Sequence, residues 1–272
     1  MANSKVYGLT IGYDVAGPAA KTPDDPPPLM FLHGWCGDRQ SFAEQMAAFK
    51  DSHRCIAPDL PGHGQSIKTR IDHGITFLAE VMVGLIKELR LFPPVLVGHS
   101  MGGPVAIEMM RQAPDLVRAA VLIDPAMMIH NTPVADPMQR ALDAMERDGV
   151  KPTFERMIDR SLAAAPEEAA LRDWLMESSR RVPGQVAITA WRGMLDWSGP
   201  QALGAVAGTG KPLAIINGPN PLNERSAILH RAPNLQWATT LGGGHHPHLT
   251  RPGQVNAMLA SFLNDEMRGD PA

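Results

Sequence analysis

Residues 98–103 read Gly-His-Ser-Met-Gly-Gly, and they directly follow the apolar run Pro-Val-Leu-Val at positions 94–97. Residues 101–112 then have the apolar spacing of an amphipathic helix. Small residues are required on both sides of Ser100, because a strand that turns so sharply into a helix holds its central residue in a strained conformation. The stretch therefore predicts a strand, a tight turn and a helix, with the Ser100 hydroxyl exposed at the turn as a candidate nucleophile.

Short apolar runs alternate with longer helical patterns on both sides of this turn. The predicted strands are residues 28–32, 55–60, 94–99, 118–124, 212–217 and 235–241, preceded by a hairpin over residues 6–15. The predicted helices outside the middle of the chain are residues 75–91, 101–112 and 253–267. Because strands that alternate with helices pair in parallel and are covered on both faces, the pattern predicts an α/β fold with a mostly parallel sheet of about eight strands.

The strand pattern stops between residues 125 and 200, where a helical composition is interrupted by prolines and glycines. We therefore predict an α/β core at 1–125 and 200–272, with a cap of about four short helices inserted at 126–199. The cap is rich in methionine and tryptophan: Met127, Met128, Met138, Met145, Met157, Met176, Met194, Trp174, Trp191 and Trp197. A single methionine at helical spacing usually belongs to the core, so only the collective enrichment indicates an apolar substrate.

Composition excludes several classes of partner. The chain has 25 Lys and Arg against 28 Asp and Glu, a formal net charge of −3, and so lacks the basic field that nucleic-acid binding requires. It contains no apolar run of 18 residues and no signal-peptide pattern. Its two cysteines, Cys36 and Cys55, are too few for a disulfide framework. We expect a soluble, cytoplasmic protein that binds neither nucleic acid nor a membrane.

A second glycine-containing segment, His-Gly-Trp-Cys-Gly at residues 33–37, follows the predicted strand 28–32. The backbone amides of Trp35 and Met101 are expected to converge on one developing negative oxygen and form an oxyanion hole. The Trp35 side chain could equally be simple packing. We include His33, which opens the segment, and Trp191 of the cap among the predicted substrate-binding residues.

The candidate base lies among three histidines after the last predicted strand, His245, His246 and His248. His245 is favoured because it follows the glycines at the strand end directly, and His246 is the second candidate. A metal site is not predicted, because no cluster of carboxylates or cysteines accompanies these histidines and a proline interrupts their spacing. His63 lies in a glycine-rich loop whose composition favours a structural role.

The candidate orienting acid is Asp124, which ends the strand before the cap. The strand after the cap, 212–217, is followed by no carboxylate until Glu224. Asp124 lies at the carboxyl end of its strand, where it could hold the histidine tautomer. A strand-end aspartate that binds loop amides is the structural alternative, and Asp196 and Glu224 are weaker candidates for the acid.

In this order, the segments GHSMGG, HGWCG, DLPGHGQS and GHHPHLTRP resemble the α/β-hydrolase fold family over essentially the whole chain outside the cap. Three further features narrow the resemblance: a Trp-Cys pair after His-Gly, an Asp before the cap with no acid after the next strand, and a tryptophan-bearing strand that runs into Leu-Gly-Gly. Together they resemble the cofactor-independent dioxygenases that cleave 1H-3-hydroxy-4-oxoquinolines (quinaldine-type substrates) with O2 and release carbon monoxide.

The dioxygenase resemblance implies that His245 abstracts the 3-hydroxyl proton of an aromatic quinolone, Asp124 stabilises the imidazolium, and Ser100 helps to bind the substrate. It implies no cofactor and no metal, with an apolar aromatic substrate and O2 as the partners. The elbow GHSMGG is also the commonest kind in serine esterases and does not itself favour oxygen chemistry, so the alternative is a carboxylic-ester or lactone hydrolase in which Ser100 attacks a carbonyl. A non-catalytic small-molecule receptor on the same fold is the third hypothesis.

Overall fold

A computed structural model describes residues 1–68, 73–127, 135–162 and 169–268 and contains one eight-stranded sheet. Its strands are β1 (Ala2–Val6), β2 (Leu9–Ala16), β3 (Leu29–Leu32), β4 (Cys55–Pro58), β5 (Val95–His99), β6 (Ala119–Ile123), β7 (Leu213–Asn217) and β8 (Gln236–Thr239). The spatial order is β1-β2-β4-β3-β5-β6-β7-β8. β2 pairs antiparallel with β1 and β4, and the remaining neighbours pair in parallel. The predicted α/β fold with a mostly parallel sheet is confirmed.

Helices cover both faces of this sheet. They are α1 (Ala43–Phe49), α2 (Ile75–Glu88), α3 (Gly102–Gln112), α4 (Ala135–Asp148), α5 (Val150–Leu162), α6 (Ala169–Arg180), α7 (Gly184–Asp196), α8 (Gly199–Ala207), α9 (Arg225–Arg231), α10 (Pro247–Thr250) and α11 (Pro252–Arg268). Within the described ranges, none of them combines the length and the apolar character needed to cross a bilayer.

The central strands are buried because side chains on both of their faces pack under helices. Along β3, Met30 and Leu32 belong to the cluster that includes residues of α2, α3 and α8, whereas Leu29 and Phe31 belong to the cluster with α1 and α11. All four side chains are fully buried. Burial of one such side chain stabilises a fold by about 1.5–3 kcal/mol, so this alternation holds the two helical layers on the sheet.

The predicted hairpin over residues 6–15 was wrong in its extent. β1 begins at Ala2 and pairs with β2 from Ala2 opposite Tyr13 to Val6 opposite Leu9. The turn is made by Tyr7 and Gly8, both at positive φ (49° and 81°), which is the backbone conformation of a two-residue hairpin. β1 is an edge strand with polar residues at its start, so the apolar pattern did not reveal where it begins.

Four helices, α4 to α7, lie between β6 and α8 in the chain, and we call them the cap helices. Met128, Pro133 and Pro166 of this segment lie outside the described residues, and the division of the chain at residues 126 and 199 stays a prediction. Several cap methionines are buried among other apolar side chains of the protein: Met138, Met145, Met176 and Met194. Their enrichment is therefore accounted for at least in part by packing within the protein.

Candidate active site

Ser100 occupies the turn between β5 and α3 with φ at +50°, a conformation that a residue with a side chain rarely adopts. The flanking glycines leave no room for a side chain. A Cβ atom on Gly98 would lie 2.3 Å from the Gly102 carbonyl oxygen, and one on Gly102 would lie 2.1 Å from the Leu32 carbonyl oxygen. Glycine is required at both positions, because the turn packs directly onto the neighbouring backbone.

Three side chains form one chain of hydrogen bonds at this turn. His245 Nδ1 lies 2.7 Å from Asp124 Oδ2, and His245 Nε2 lies 3.0 Å from Ser100 Oγ. With Nδ1–H donating to the carboxylate, Nε2 is left as the acceptor that faces the serine hydroxyl. The side chain of His245 is 25% exposed and that of Asp124 is 1% exposed. The base is thus accessible from solvent, whereas the acid is shielded from it.

Asp124 is held by the loop that follows β7, the same loop in which the sequence contains no acid before Glu224. The Leu222 amide donates to Asp124 Oδ1 at 3.3 Å. Asn223 binds the segment after Asp124 twice, by donating to the Pro125 carbonyl at 2.5 Å and accepting from the Met127 amide at 3.2 Å. Amide groups of this loop therefore support an acid that another strand supplies.

The other sequence candidates for the acid and the base lie apart from this chain of hydrogen bonds. Asp196 and Glu224 are exposed, and no hydrogen bond in the described part of the chain joins either side chain to His245. His246 is buried, and its Nδ1 has no hydrogen-bond partner among the described residues. Of the three histidines in this loop, His245 is the one that bridges Ser100 and Asp124.

The segment after β3 lies against the serine turn. A Cβ atom on Gly34 would lie 3.2 Å from Ser100 Cβ, so the backbone that leads into Trp35 passes beside the serine. Met101 precedes the first residue of α3, and its amide lies at the positive end of that helix. Within the described residues, neither the Trp35 amide nor the Met101 amide donates to a protein acceptor. Both amides are therefore free to donate to a substrate oxygen.

The side chain of Trp35 joins this segment to the cap helices. Its indole Nε1–H donates to the Ala187 carbonyl of α7 at 2.8 Å. Its ring centroid lies 4.7 Å from that of Trp191 and 5.4 Å from that of Phe154, and Trp191 in turn donates to the Met138 carbonyl at 3.0 Å. The two tryptophans predicted to bind substrate thus form one aromatic cluster whose indole N–H groups are already bonded within the protein.

His33 and His63 are buried, and the hydrogen bonds of their rings within the described residues go to Gly34, Leu60 and Pro61. Nδ1–H of His33 donates to the Gly34 carbonyl at 2.8 Å, and its Nε2 accepts from the Leu60 amide at 2.9 Å. Both ring nitrogens of His33 are occupied, so the ring ties two loops together and offers no nitrogen to a substrate. The His63 ring lies next to it, with the centroids 5.1 Å apart and the ring planes inclined at 55°. Burial lowers the pKa of both imidazoles.

A cluster of imidazoles that the sequence did not predict lies around His245. The ring centroid of His99 lies 4.9 Å from that of His245, 5.1 Å from that of His246 and 4.2 Å from that of His248. Burial lowers the pKa of His99 and of His246 well below its usual range and that of His248 to about 3. The sequence did offer a signal, because one histidine directly precedes Ser100 and three more lie in the loop predicted to carry the base. In the described ranges, no group of three His, Cys, Asp or Glu side chains is arranged to hold a metal ion.

Comparison with known proteins identifies the family. The model of the alpha/beta hydrolase family matches residues 29–258. The chain belongs to this family. This result confirms the resemblance drawn from the serine turn, the segment at 33–37 and the histidine loop, whereas the narrower resemblance to the dioxygenases stays a prediction.

Relatives and solved structures similar to this chain carry several names. It is 28% identical to the sn-1-specific diacylglycerol lipase of Mus musculus, covering 87% of this chain and 81% of the relative. It is 25% identical to a putative esterase/lipase of Haemophilus influenzae, and the match covers 88% of this chain and 83% of the relative. An esterase structure from Thermogutta terrifontis superposes with a TM-score of 0.81 at 22% identity, covering 98% of both chains. An enol-lactonase structure from Burkholderia xenovorans also has a TM-score of 0.81, at 15% identity. The match covers 97% of this chain and 100% of the enol-lactonase chain. At these identities the two structures show a shared fold.

Proposed function

We propose that this protein is a serine-dependent hydrolase of carboxylic esters, with lactones as cyclic members of the same substrate class. The observation that carries the proposal is the 3.0 Å contact between Ser100 Oγ and His245 Nε2. A serine in hydrogen-bond contact with a histidine that a buried carboxylate orients is the arrangement that activates a hydroxyl nucleophile. The names of the mouse and Haemophilus relatives, a lipase and an esterase/lipase, support the same class of reaction.

The reaction follows from the roles that the geometry allows. Ser100 Oγ attacks the ester carbonyl while His245 Nε2 takes the hydroxyl proton, and the carbonyl oxygen becomes an oxyanion facing the amides of Trp35 and Met101. Asp124 stabilises the imidazolium that forms. His245 then gives the proton to the leaving alkoxide, which departs as an alcohol and leaves an acyl group on Ser100. A water molecule then attacks the acyl carbonyl as His245 takes its proton, and cleavage of the bond to Ser100 Oγ, with return of that proton to Oγ, releases the carboxylic acid and restores the serine.

An apolar acyl or alkoxy group suits the surroundings of the serine. Trp35 extends from the segment beside Ser100 to the cap helices and packs against Trp191 and Phe154. Trp191 and Phe154 are buried, whereas Trp35 is partly exposed, and because its indole N–H is bonded to Ala187 it offers apolar ring surface to a ligand. We therefore infer that the substrate carries an apolar group on one side of the ester.

The dioxygenase hypothesis has one observation in its favour, the contact between His245 and an acid at the end of β6. That pair alone could act as the general base toward a 3-hydroxy-4-quinolone, with Ser100 binding the substrate. The ester hypothesis uses the contacts of all three side chains, and we favour it for this reason. The two hypotheses assign different roles to the Ser100 hydroxyl, so its removal distinguishes them.

The test compares wild type with Ser100→Ala on p-nitrophenyl esters of increasing chain length and on a 2-alkyl-3-hydroxy-4(1H)-quinolone with an oxygen electrode. We expect ester hydrolysis by wild type, a loss of at least ~10³-fold in kcat in Ser100→Ala, and no oxygen uptake. Ser198→Ala is the matched control, because Ser198 is exposed and its side chain caps no helix. A phosphonate probe should label wild type and the control, with the added mass on Ser100.

Oxygen uptake by wild type that persists in Ser100→Ala would replace our proposal with the dioxygenase. Binding of the ligands without turnover of ester or quinolone would instead support the receptor hypothesis. Either result would contradict the hydrolase proposal, because its mechanism requires an acyl group on Ser100.

A further inference from the structure

His99 contacts both of the segments that meet at Ser100. Its Nε2 lies 2.8 Å from the backbone carbonyl oxygen of His245. On the other side of the ring, a Cβ atom on Gly34 would lie 2.8 Å from His99 Nδ1, so the imidazole packs directly on the backbone beside the proposed oxyanion hole. The side chain of His99, the residue before Ser100, thus contacts both the loop that carries His245 and the segment that leads into Trp35.

The charge and tautomer of this imidazole follow from its surroundings. His99 is 3% exposed, and burial together with the neighbouring imidazoles His245, His246 and His248 disfavours a positive charge on the ring. A neutral imidazole carries one proton. That proton is on Nε2, because Nε2 faces a carbonyl oxygen, which can only accept. His99 is therefore a neutral donor to the backbone of the base.

A backbone hydrogen bond at this place matters because His245 lies between a turn of three glycines and the short helix α10. Three consecutive residues before His245, the glycines 242–244, have positive φ values of 78°, 98° and 53°. The hydroxyls of Thr240 and Thr250 donate to the carbonyls of Gly242 and Gly243 at 2.7 Å and 2.9 Å, and at His245 itself the carbonyl is bonded to His99. The carbonyl of His245 is the group by which His99 holds the loop.

We propose that His99 is a positioning residue, whose Nε2–H holds the backbone of His245 so that its imidazole lies between Ser100 and Asp124. The inference deepens the proposed hydrolase function and rests on it. His99 does not touch the reacting atoms in this role. It acts through the base, and a shift of the His245 imidazole by about 1 Å is expected to lower the rate on the order of 100-fold.

The test uses three substitutions of His99. His99→Leu removes the donor, His99→Gln places an amide N–H at nearly the reach of Nε2, and His99→Asn carries an amide too short to reach the carbonyl. We expect kcat on a p-nitrophenyl ester to fall on the order of 100-fold in the Leu and Asn variants, with KM within about twofold of wild type. The Gln variant should recover most of that loss. Should the Leu variant not fold, the comparison of Gln with Asn decides the question.

His248→Leu is the matched control. His248 is fully buried and its ring lies 4.2 Å from that of His99, yet both of its ring nitrogens are without a partner among the described residues. Removal of this ring disturbs the same packing without removing a hydrogen bond. We expect His248→Leu to keep kcat within about threefold of wild type and to share any loss of thermal stability that the His99 variants show.

A proton NMR measurement separates this inference from the hydrolase function. The His245 Nδ1–H that donates to Asp124 should give a low-field resonance in wild type, and its absence from Asp124→Ala identifies it. The resonance should vanish or shift in His99→Leu and His99→Asn, and remain in His99→Gln and His248→Leu. It requires no substrate, so it tests the position of His245 even if no ester is hydrolysed.

Two outcomes would overturn the role of His99. In the first, kcat and the low-field resonance are unchanged in both His99→Leu and His99→Asn. In the second, His248→Leu loses as much activity as the His99 variants and Gln recovers nothing relative to Asn, which would show that the ring acts only by packing. A failure of ester hydrolysis with the expected NMR pattern would overturn the hydrolase proposal and leave the positioning role supported.

Discussion

Asp124, the acid at the end of β6, combines a rarely adopted backbone conformation with two hydrogen bonds to its carboxylate. Asp124 has φ at +37° and is bonded to His245 on one carboxylate oxygen and to the Leu222 amide on the other. A strained backbone at a buried carboxylate persists where the surrounding contacts hold it. The loop after β7 provides such contacts, so the loop supports an acid from β6 although its own carboxylate, Glu224, is exposed.

Asp124→Asn should lower kcat on esters by about 10⁴-fold. An asparagine keeps the size of the side chain but stabilises the wrong histidine tautomer and no longer compensates the imidazolium. Glu224→Gln, at the exposed first carboxylate after β7, should remain within about twofold of wild type. Steady-state kinetics on a p-nitrophenyl ester measures both. If the Glu224 variant loses activity and the Asp124 variant keeps it, the acid assignment is wrong.

At the scale of elements, the cap helix α7 is bonded to the segment that carries the proposed oxyanion amide. The indole of Trp35 donates to the Ala187 carbonyl, and these two residues are 152 positions apart in the chain. The amide and the side chain of Trp35 belong to the same residue, so the position of α7 restrains the position of the amide that we propose for the oxyanion hole. A cap helix is thus bonded directly to the segment that lies beside Ser100.

Trp35→Phe should lower kcat about tenfold with a smaller change in KM. The substitution keeps an aromatic ring against Trp191 but removes the hydrogen bond to Ala187, so the Trp35 amide loses a restraint that matters mainly in the transition state. Trp174→Phe is the control, because Trp174, like Trp35, packs against the buried apolar group that includes Phe154, and its indole has no hydrogen bond among the described residues. Kinetics over esters of several chain lengths tests this. An equal effect of the two substitutions on kcat would contradict it.

At the scale of the whole molecule, the chain buries many imidazoles in their neutral form. The histidines whose pKa is lowered, with burial as the largest cause, are His33, His53, His63, His99, His246 and His248. In the unfolded chain these groups bind protons at the ordinary pKa of about 6.5, and in the folded chain they bind them only at lower pH. Folding therefore releases protons below pH 6.5.

The free energy of unfolding should fall as the pH drops below about 6.5. Between its two pKa values, each such histidine contributes a slope of about 1.4 kcal/mol per pH unit, and for His248 this window extends from about 6.5 down to about 3. Urea unfolding between pH 7.5 and 5 measures the slope. His248→Leu should reduce it, and His230→Leu, which changes an exposed side chain, should not. A free energy that is flat over this range would contradict the prediction.

Several features of the fold were predicted from local sequence patterns alone. The glycines around Ser100 predicted the turn, because the small residues that such a turn requires all lie within residues 98–103. Strand and helix periodicity predicted the mostly parallel sheet, and a helical composition broken by prolines and glycines predicted about four helices in the middle of the chain, where the described residues contain α4 to α7. The pattern failed at β1, whose polar edge residues carry no burial signal, and it did not indicate α8, a short helix built from small residues that packs on α3.

The sequence by itself determined the fold class, the serine turn and a short set of candidate partners for Ser100. Only the tertiary structure selected among these candidates, by bringing His245 and Asp124, 121 positions apart, within 2.7 Å. It also placed His99 beneath the base and joined Trp35 to the cap helices. The physical reason is that backbone conformation is set by neighbours along the chain, whereas hydrogen bonds between distant loops depend on how the sheet arranges the ends of its strands.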